Sequence, residues 1–183
     1  MSESFVQNAR DSDRPVAQPY LLALAGPDPR KNTDVIIDAW TSISDEVLDW
    51  VLVLVRGPES PLFQSPAMPL GERIVWIDNV PDSQLAALYA HAHALVYVSS
   101  YEGFGLPPLE AAASGTSFLI ASDLPPLRQS LGEGATFVKP RDREGLAEAM
   151  RRVVRSDAPH SPSTVPTWRS AAAEYDALFQ ANS

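Results

Sequence analysis

The 183-residue sequence contains no cysteine. That excludes disulfides, thiol nucleophiles and zinc–thiolate centres. Histidine is scarce too, with three in the chain. His91 and His93 are two apart and point in different directions on a helix, so no pair is spaced to hold zinc. Basic residues are outnumbered, 14 Lys and Arg against 23 Asp and Glu, for a net charge of −9. An acidic surface argues against broad binding to nucleic acid or anionic membrane, but leaves room for a local phosphate pocket. No stretch approaches the ~18 apolar residues of a membrane span. The first eighteen residues are polar and lack the apolar core of a signal peptide. A soluble, cytoplasmic protein without stable membrane insertion is expected.

What is present is ordinary for a globular chain: 45% hydrophobic and 20% charged residues. At this length one domain with a sizeable core is expected. The 17 prolines cluster in loops and tails, most densely in PLFQSPAMP (61–69) and DAPHSPSTVPT (157–167). The first reads as a long surface loop and the second as a linker. The expected division is a disordered or extended tail over 1–19, a Rossmann-like domain over 20–155, a Pro-rich linker over 156–167, and a helix over 168–180 that packs on the domain.

Between tail and linker two patterns alternate. Of the apolar runs at 20–25, 51–55, 73–77, 94–98, 117–121 and 135–138, several are hydrophobic on consecutive positions, as in strands buried on both faces. Helical spacing separates them. Val35, Ile36, Ala39, Trp40 and Ile43 line one face of a helix that Thr33 can cap. Asp82 or Ser83 starts another, with Leu85, Leu88 and Tyr89 on one side. Pro107 suits the first turn of a third, which Gly115 ends; 125–131 and 143–155 complete the set. The alternation predicts a doubly wound α/β fold, a three-layer sandwich with a parallel sheet of about six strands. Ligands of such sheets bind beyond the carboxyl ends of the strands.

The segment SSYEGFGLPPLE, 99–110, leaves a strand, passes two glycines and opens a helix. Gly103 and Gly105 let the backbone approach a ligand, and a helix N-terminus favours phosphate. Glu102 is expected at the strand's end and Glu110 in the first turn of the helix. Carboxylates repel phosphate but accept hydrogen bonds from sugar hydroxyls. Acids beside an anion site therefore suit a nucleotide-diphospho-sugar. Tyr101 and Phe104 flank the turn and are read as packing support.

Glu102 and Glu110, with seven residues between them in EGFGLPPLEA, resemble the paired glutamates of the family 4 retaining glycosyltransferases, which have the GT-B fold. PRKN at 29–32 is similar to that family's lysine loop, and 80–116 and 122–150 are similar to its central and closing blocks. The resemblance implies one half of a GT-B fold, the C-terminal donor domain. It implies that Lys31 contacts the donor diphosphate and Glu102 the hexose, both in catalytic roles, and that Glu110 holds the ribose hydroxyls. Gly103, Phe104, Gly105 and Leu106 would cradle the donor, with Arg30 and Arg56 as further basic candidates. The reaction implied is transfer of a hexose with retained configuration, without metal or cofactor, from a donor such as a UDP- or GDP-sugar.

The chain departs from the family at Ala25 and Asp78, where glycine is usual, and at Arg56, which stands at or beside a third such glycine. Its length matches one GT-B half, so the acceptor site is expected on an N-terminal domain or a partner chain. The alternatives are one subunit of a split transferase and a non-catalytic Rossmann-like interaction or regulatory domain.

Overall fold

The structure, a computed structural model, describes residues 13–57 and 73–156. The order is β1 (Tyr20–Ala25), a 3₁₀ turn (Pro29–Lys31), α1 (Thr33–Ile43), a second such turn (Ser44–Glu46), β2 (Val51–Arg56) and β3 (Ile74–Asp78). Then come α2 (Asp82–His91), β4 (Ala94–Tyr97), α3 (Leu106–Ser114), β5 (Phe118–Ser122), α4 (Pro125–Leu131), β6 (Thr136–Val138) and α5 (Arg143–Val154). The six strands form one sheet in the order β3-β2-β1-β4-β5-β6, with every pairing parallel. This is the doubly wound arrangement, and β1 and β4 flank the point where the order reverses.

Side-chain alternation along each strand separates two cores. Leu21, Ala23, Leu52, Leu54, Val96 and Ile120 face α1 and α5, where Trp40, Ile36 and Met150 are buried. Leu22, Val53, Val55, Leu95 and Leu119 face α2, α3 and α4, meeting Leu88, Tyr89, Leu109 and Leu127. All five residues expected to line α1 are buried. Removing a side chain such as that of Trp40 would cost roughly 3–5 kcal/mol. The hydroxyl of Tyr20 donates to the Leu88 carbonyl at 2.7 Å, so the sheet–helix contact is also tied by a polar bond.

Several expectations need correction. Packing reaches N-terminal of Tyr20: Val16 is buried in the second core, and the amide of Val51 donates to the Pro19 carbonyl. Thr33 does not cap α1 but lies inside it; the N-cap is Asn32, in the left-handed region at φ 50°. Asn32 is drawn there because its buried side chain serves the neighbouring loop. α3 starts at Leu106, so Pro107 and Pro108 occupy the next two positions and Glu110 falls in the second turn, not the first. Residues 1–12, the Pro-rich stretch at 61–69, the expected linker from Asp157 onward and the expected helix over 168–180 lie outside the described residues.

Candidate functional site

The loops that follow β1 and β4 leave the sheet toward opposite layers, into α1 and α3. Polar bonds stitch them together. Asn32 Nδ2 donates to the Val98 carbonyl at 2.7 Å, and its Oδ1 accepts from Ser100 Oγ at 3.0 Å and Arg141 Nη1 at 3.2 Å. The amide of Ser100 donates to the Arg30 carbonyl at 2.7 Å. Ser122 Oγ donates to the Ser99 carbonyl at 2.5 Å, fixing the second loop from β5.

Between the two loops lies a cleft of about 220 Å³, lined by Asp28, Arg30, Lys31, Ser99, Tyr101, Glu102 and Gly103. A cation from the first loop and a carboxylate from the second line the same cleft. Lys31 Nζ is 3.3 Å from the Ala25 carbonyl oxygen. Burial pushes its pKa down, while the Asp28 and Glu102 carboxylates push it back up. Arg30 is clamped onto Asp28, with Nη2 to Oδ2 at 2.6 Å and Nε to Oδ1 at 3.1 Å. That hydrogen bonding holds the Asp28 carboxyl below its ordinary range. Tyr97, the last residue of β4, donates from its hydroxyl to Glu102 Oε1 at 2.6 Å. Ser99 Oγ is buried with no hydrogen-bond partner among the described residues, an unused donor at the cleft.

The structure thus brings Lys31, Glu102, Gly103 and Arg30 into one cleft. Glu110, Phe104, Gly105, Leu106 and Arg56 are not among its lining residues. Glu110 sits on α3, half-buried; burial raises its pKa, and the Asp82 carboxylate raises it further. Gly105 is the N-cap of α3 at φ 78°, and a Cβ there would overlap Leu127 Cδ2, so glycine is required. Arg56 is bound to Asp78 across β2 and β3 by two bonds, Nε to Oδ1 at 2.9 Å and Nη2 to Oδ2 at 2.8 Å, with its guanidinium 5.9 Å above the Trp76 ring. The packing role expected for Tyr101 and Phe104 does not hold: they are 69% and 54% exposed, and Leu106 beside them is 46% exposed. The loop turns these side chains outward because its own support comes from Tyr97, Asn32 and Ser122 underneath.

A family model described as "Glycosyl transferases group 1" matches residues 5–164. The chain belongs to the group 1 glycosyl transferases. Among curated relatives, it is 31% identical over 161 residues to the O-antigen chain mannosyltransferase RfbU of Salmonella typhimurium, covering 86% of this chain and 43% of that protein. It is 30% identical over 170 residues to the O-antigen chain mannosyltransferase B of Escherichia coli, covering 86% and 44%. The sucrose-phosphate synthase of Thermosynechococcus elongatus superposes with a TM-score of 0.71 at 24% identity, over 97% of this chain and 48% of that one. Anabaena HepE, solved with UDP and glucose, superposes with a TM-score of 0.65 at 18% identity, over 96% and 48%. These superpositions establish the fold. This group 1 chain therefore spans less than half the length of the proteins it matches, as one GT-B half would.

Among the described residues no group of three His, Cys, Asp or Glu is placed to hold a metal, and no helix is long and apolar enough to cross a membrane. The sequence does contain one Asp-x-Asp triplet, Asp11-Ser12-Asp13, of which only Asp13 is described. Sequence reasoning missed Asp28, Asn32, Tyr97 and Ser99. Asp28 carried a legible signal: it precedes Pro29, and its side chain accepts from the Arg30 amide at 2.9 Å, as a capping aspartate does.

Proposed function

We propose that the chain is the donor-binding half of a retaining, metal-independent hexosyltransferase that uses a nucleotide-diphospho-sugar. The observation that carries the proposal is the meeting of Lys31 and Glu102 in one cleft at the switch point of the sheet. Lys31 places a point charge beside the leaving diphosphate as the bond to the anomeric carbon breaks. Pro107 and Pro108 have no N–H, so the amides of Gly105, Leu106 and Leu109, with the partial positive charge at the start of α3, take the remaining phosphate charge. Glu102 accepts from hexose hydroxyls and Glu110 from the ribose. The mannosyltransferase names of two relatives and the UDP seen with HepE support a UDP- or GDP-hexose as donor.

An acceptor-binding N-terminal half, on the same polypeptide or on a partner, completes the enzyme. The exposed Tyr101, Phe104 and Leu106 beside the cleft support such a contact. Alone, the chain would bind donor weakly and transfer little, because the cleft stays open to water. Calorimetric titration with UDP, GDP and ADP tests the reading. Saturable binding of one of them, weakened by Lys31→Ala, is expected; no binding of any at millimolar concentration would count against it.

The second reading, a non-catalytic interaction domain, is favoured by the Arg56–Asp78 pair, in which Asp78 stands where glycine is usual and Arg56 at or beside another such position. Retained transfer by the reconstituted enzyme after Glu102→Ala would decide for it.

A further inference from the structure

We propose that Tyr97 is a positioning residue for the reaction, holding the Glu102 carboxylate in place at the cleft. The inference rests on the donor-site reading of Glu102. Glu102 lies in a stretch without helix or strand, between exposed Tyr101 and Gly103, whose Cβ position has no neighbour within 4 Å. A glutamate on such a loop has rotamer freedom to lose before it can present an oxygen to a hydroxyl. Tyr97 removes that freedom from outside the loop. It ends β4, its ring packs on the core beneath α2, α3 and α4, and its hydroxyl reaches Glu102 Oε1 at 2.6 Å. That length is typical of a charge-assisted O–H···O⁻ bond.

A hydroxyl suits this task better than a cation would. It orients one oxygen and leaves the charge of the carboxylate to act on Lys31 and Arg30, both of which feel Glu102. The phenol stays protonated, and so stays a donor. Burial raises its pKa, and the Glu102 and Glu110 carboxylates both oppose its ionisation. Tyr97 therefore acts on the reaction through Glu102, which its hydroxyl holds.

The test uses the full chain with its tyrosines carbon-13 labelled at Cζ, the Tyr97 resonance being assigned from Tyr97→Phe. Glu102→Gln and Glu102→Ala are expected to shift the Tyr97 resonance. Tyr20, whose hydroxyl is held by the Leu88 carbonyl, should stay in place and report that the fold is intact. An unmoved Tyr97 resonance overturns the proposal. Calorimetry forms the second arm, comparing UDP and GDP with UDP-glucose and GDP-mannose. Tyr97→Phe is expected to weaken the nucleotide hexose about tenfold and the nucleoside diphosphate by less than about twofold. Equal losses for both would make Tyr97 a mere fold support and overturn its positioning role. If wild type binds no nucleotide, the donor-site reading fails, and with it any role in the reaction, while the resonance still decides whether Tyr97 holds Glu102.

Discussion

The Lys31 ammonium lies 3.3 Å from the carbonyl oxygen of Ala25, the residue that ends β1. The lysine thus folds back over its own loop, and the strand end directs its charge into the cleft that Glu102 enters from the other side. Gly26 lines this path: a Cβ there would stand 3.4 Å from Nζ.

Removing that ammonium should lower nucleoside diphosphate affinity by about tenfold or more, since a charge-assisted bond to phosphate is lost. Lys31→Arg should not restore it, because a planar guanidinium is wider than the point charge that fits past Gly26. Calorimetry on Lys31→Ala and Lys31→Arg checks both; wild-type affinity in the arginine variant would contradict the geometry.

The position of Glu110 in the fold costs stability at neutral pH. Its pKa is raised above the ordinary 4.5, chiefly by burial. The folded chain therefore takes up that proton at higher pH than the unfolded chain does. As pH rises past 4.5 through the folded value, stability is lost, because the charge is then buried. Glu110→Gln should raise the urea midpoint at about pH 7, and the gain should vanish below about pH 4. The same variant should bind nucleotide more weakly. A midpoint difference that does not change with pH would refute the assignment.

Asn32→Ala should cost about 2–3 kcal/mol in urea unfolding. It strands the Val98 carbonyl and puts alanine at φ 50°. Asn32→Gly relieves the backbone strain and should recover about 1 kcal/mol of that. Both variants should bind nucleotide poorly, since the side-chain ties between the Lys31 and Glu102 loops are gone in each and the Ser100–Arg30 backbone bond is left to hold them.

Gly105→Ala should destabilise by about 2–3 kcal/mol, from a strained φ of 78° and overlap with Leu127. Combined with Leu127→Ala, the loss should be smaller than the sum of the two single losses, because the second change removes the clash. Additive losses would mean that the strain is confined to the backbone.

The fold was largely legible because β1, β2, β4 and β5 are buried on both faces. Runs such as 51–55 have no polar partner positions to confuse their period, and the helix around Trp40 repeats its apolar residues cleanly. Lys31 and Glu102 were legible through the motifs around them, and the structure puts both in one cleft. What escaped depends on juxtaposition. Arg56 reads as a candidate phosphate ligand until the β2–β3 register places Asp78 directly beside it. Tyr97 reads as one more apolar strand residue; only its position at the strand's last residue frees the hydroxyl for Glu102. Asn32 gave no sign of its role, because the bonding partners of its side chain lie 66, 68 and 109 residues away.

That separation has a consequence for assembly. The cleft spans the seam where β1 pairs with β4, so it arises from a non-local pairing and not from either half of the sheet. Closing that long loop is entropically costly and comes with the global collapse of the domain. A chain with only β1 to β3, or only β4 to β6, in place has the motif residues but no cleft. A ligand seated across the seam thus binds only fully assembled molecules, so its saturation counts them and its presence pulls the folding equilibrium toward completion.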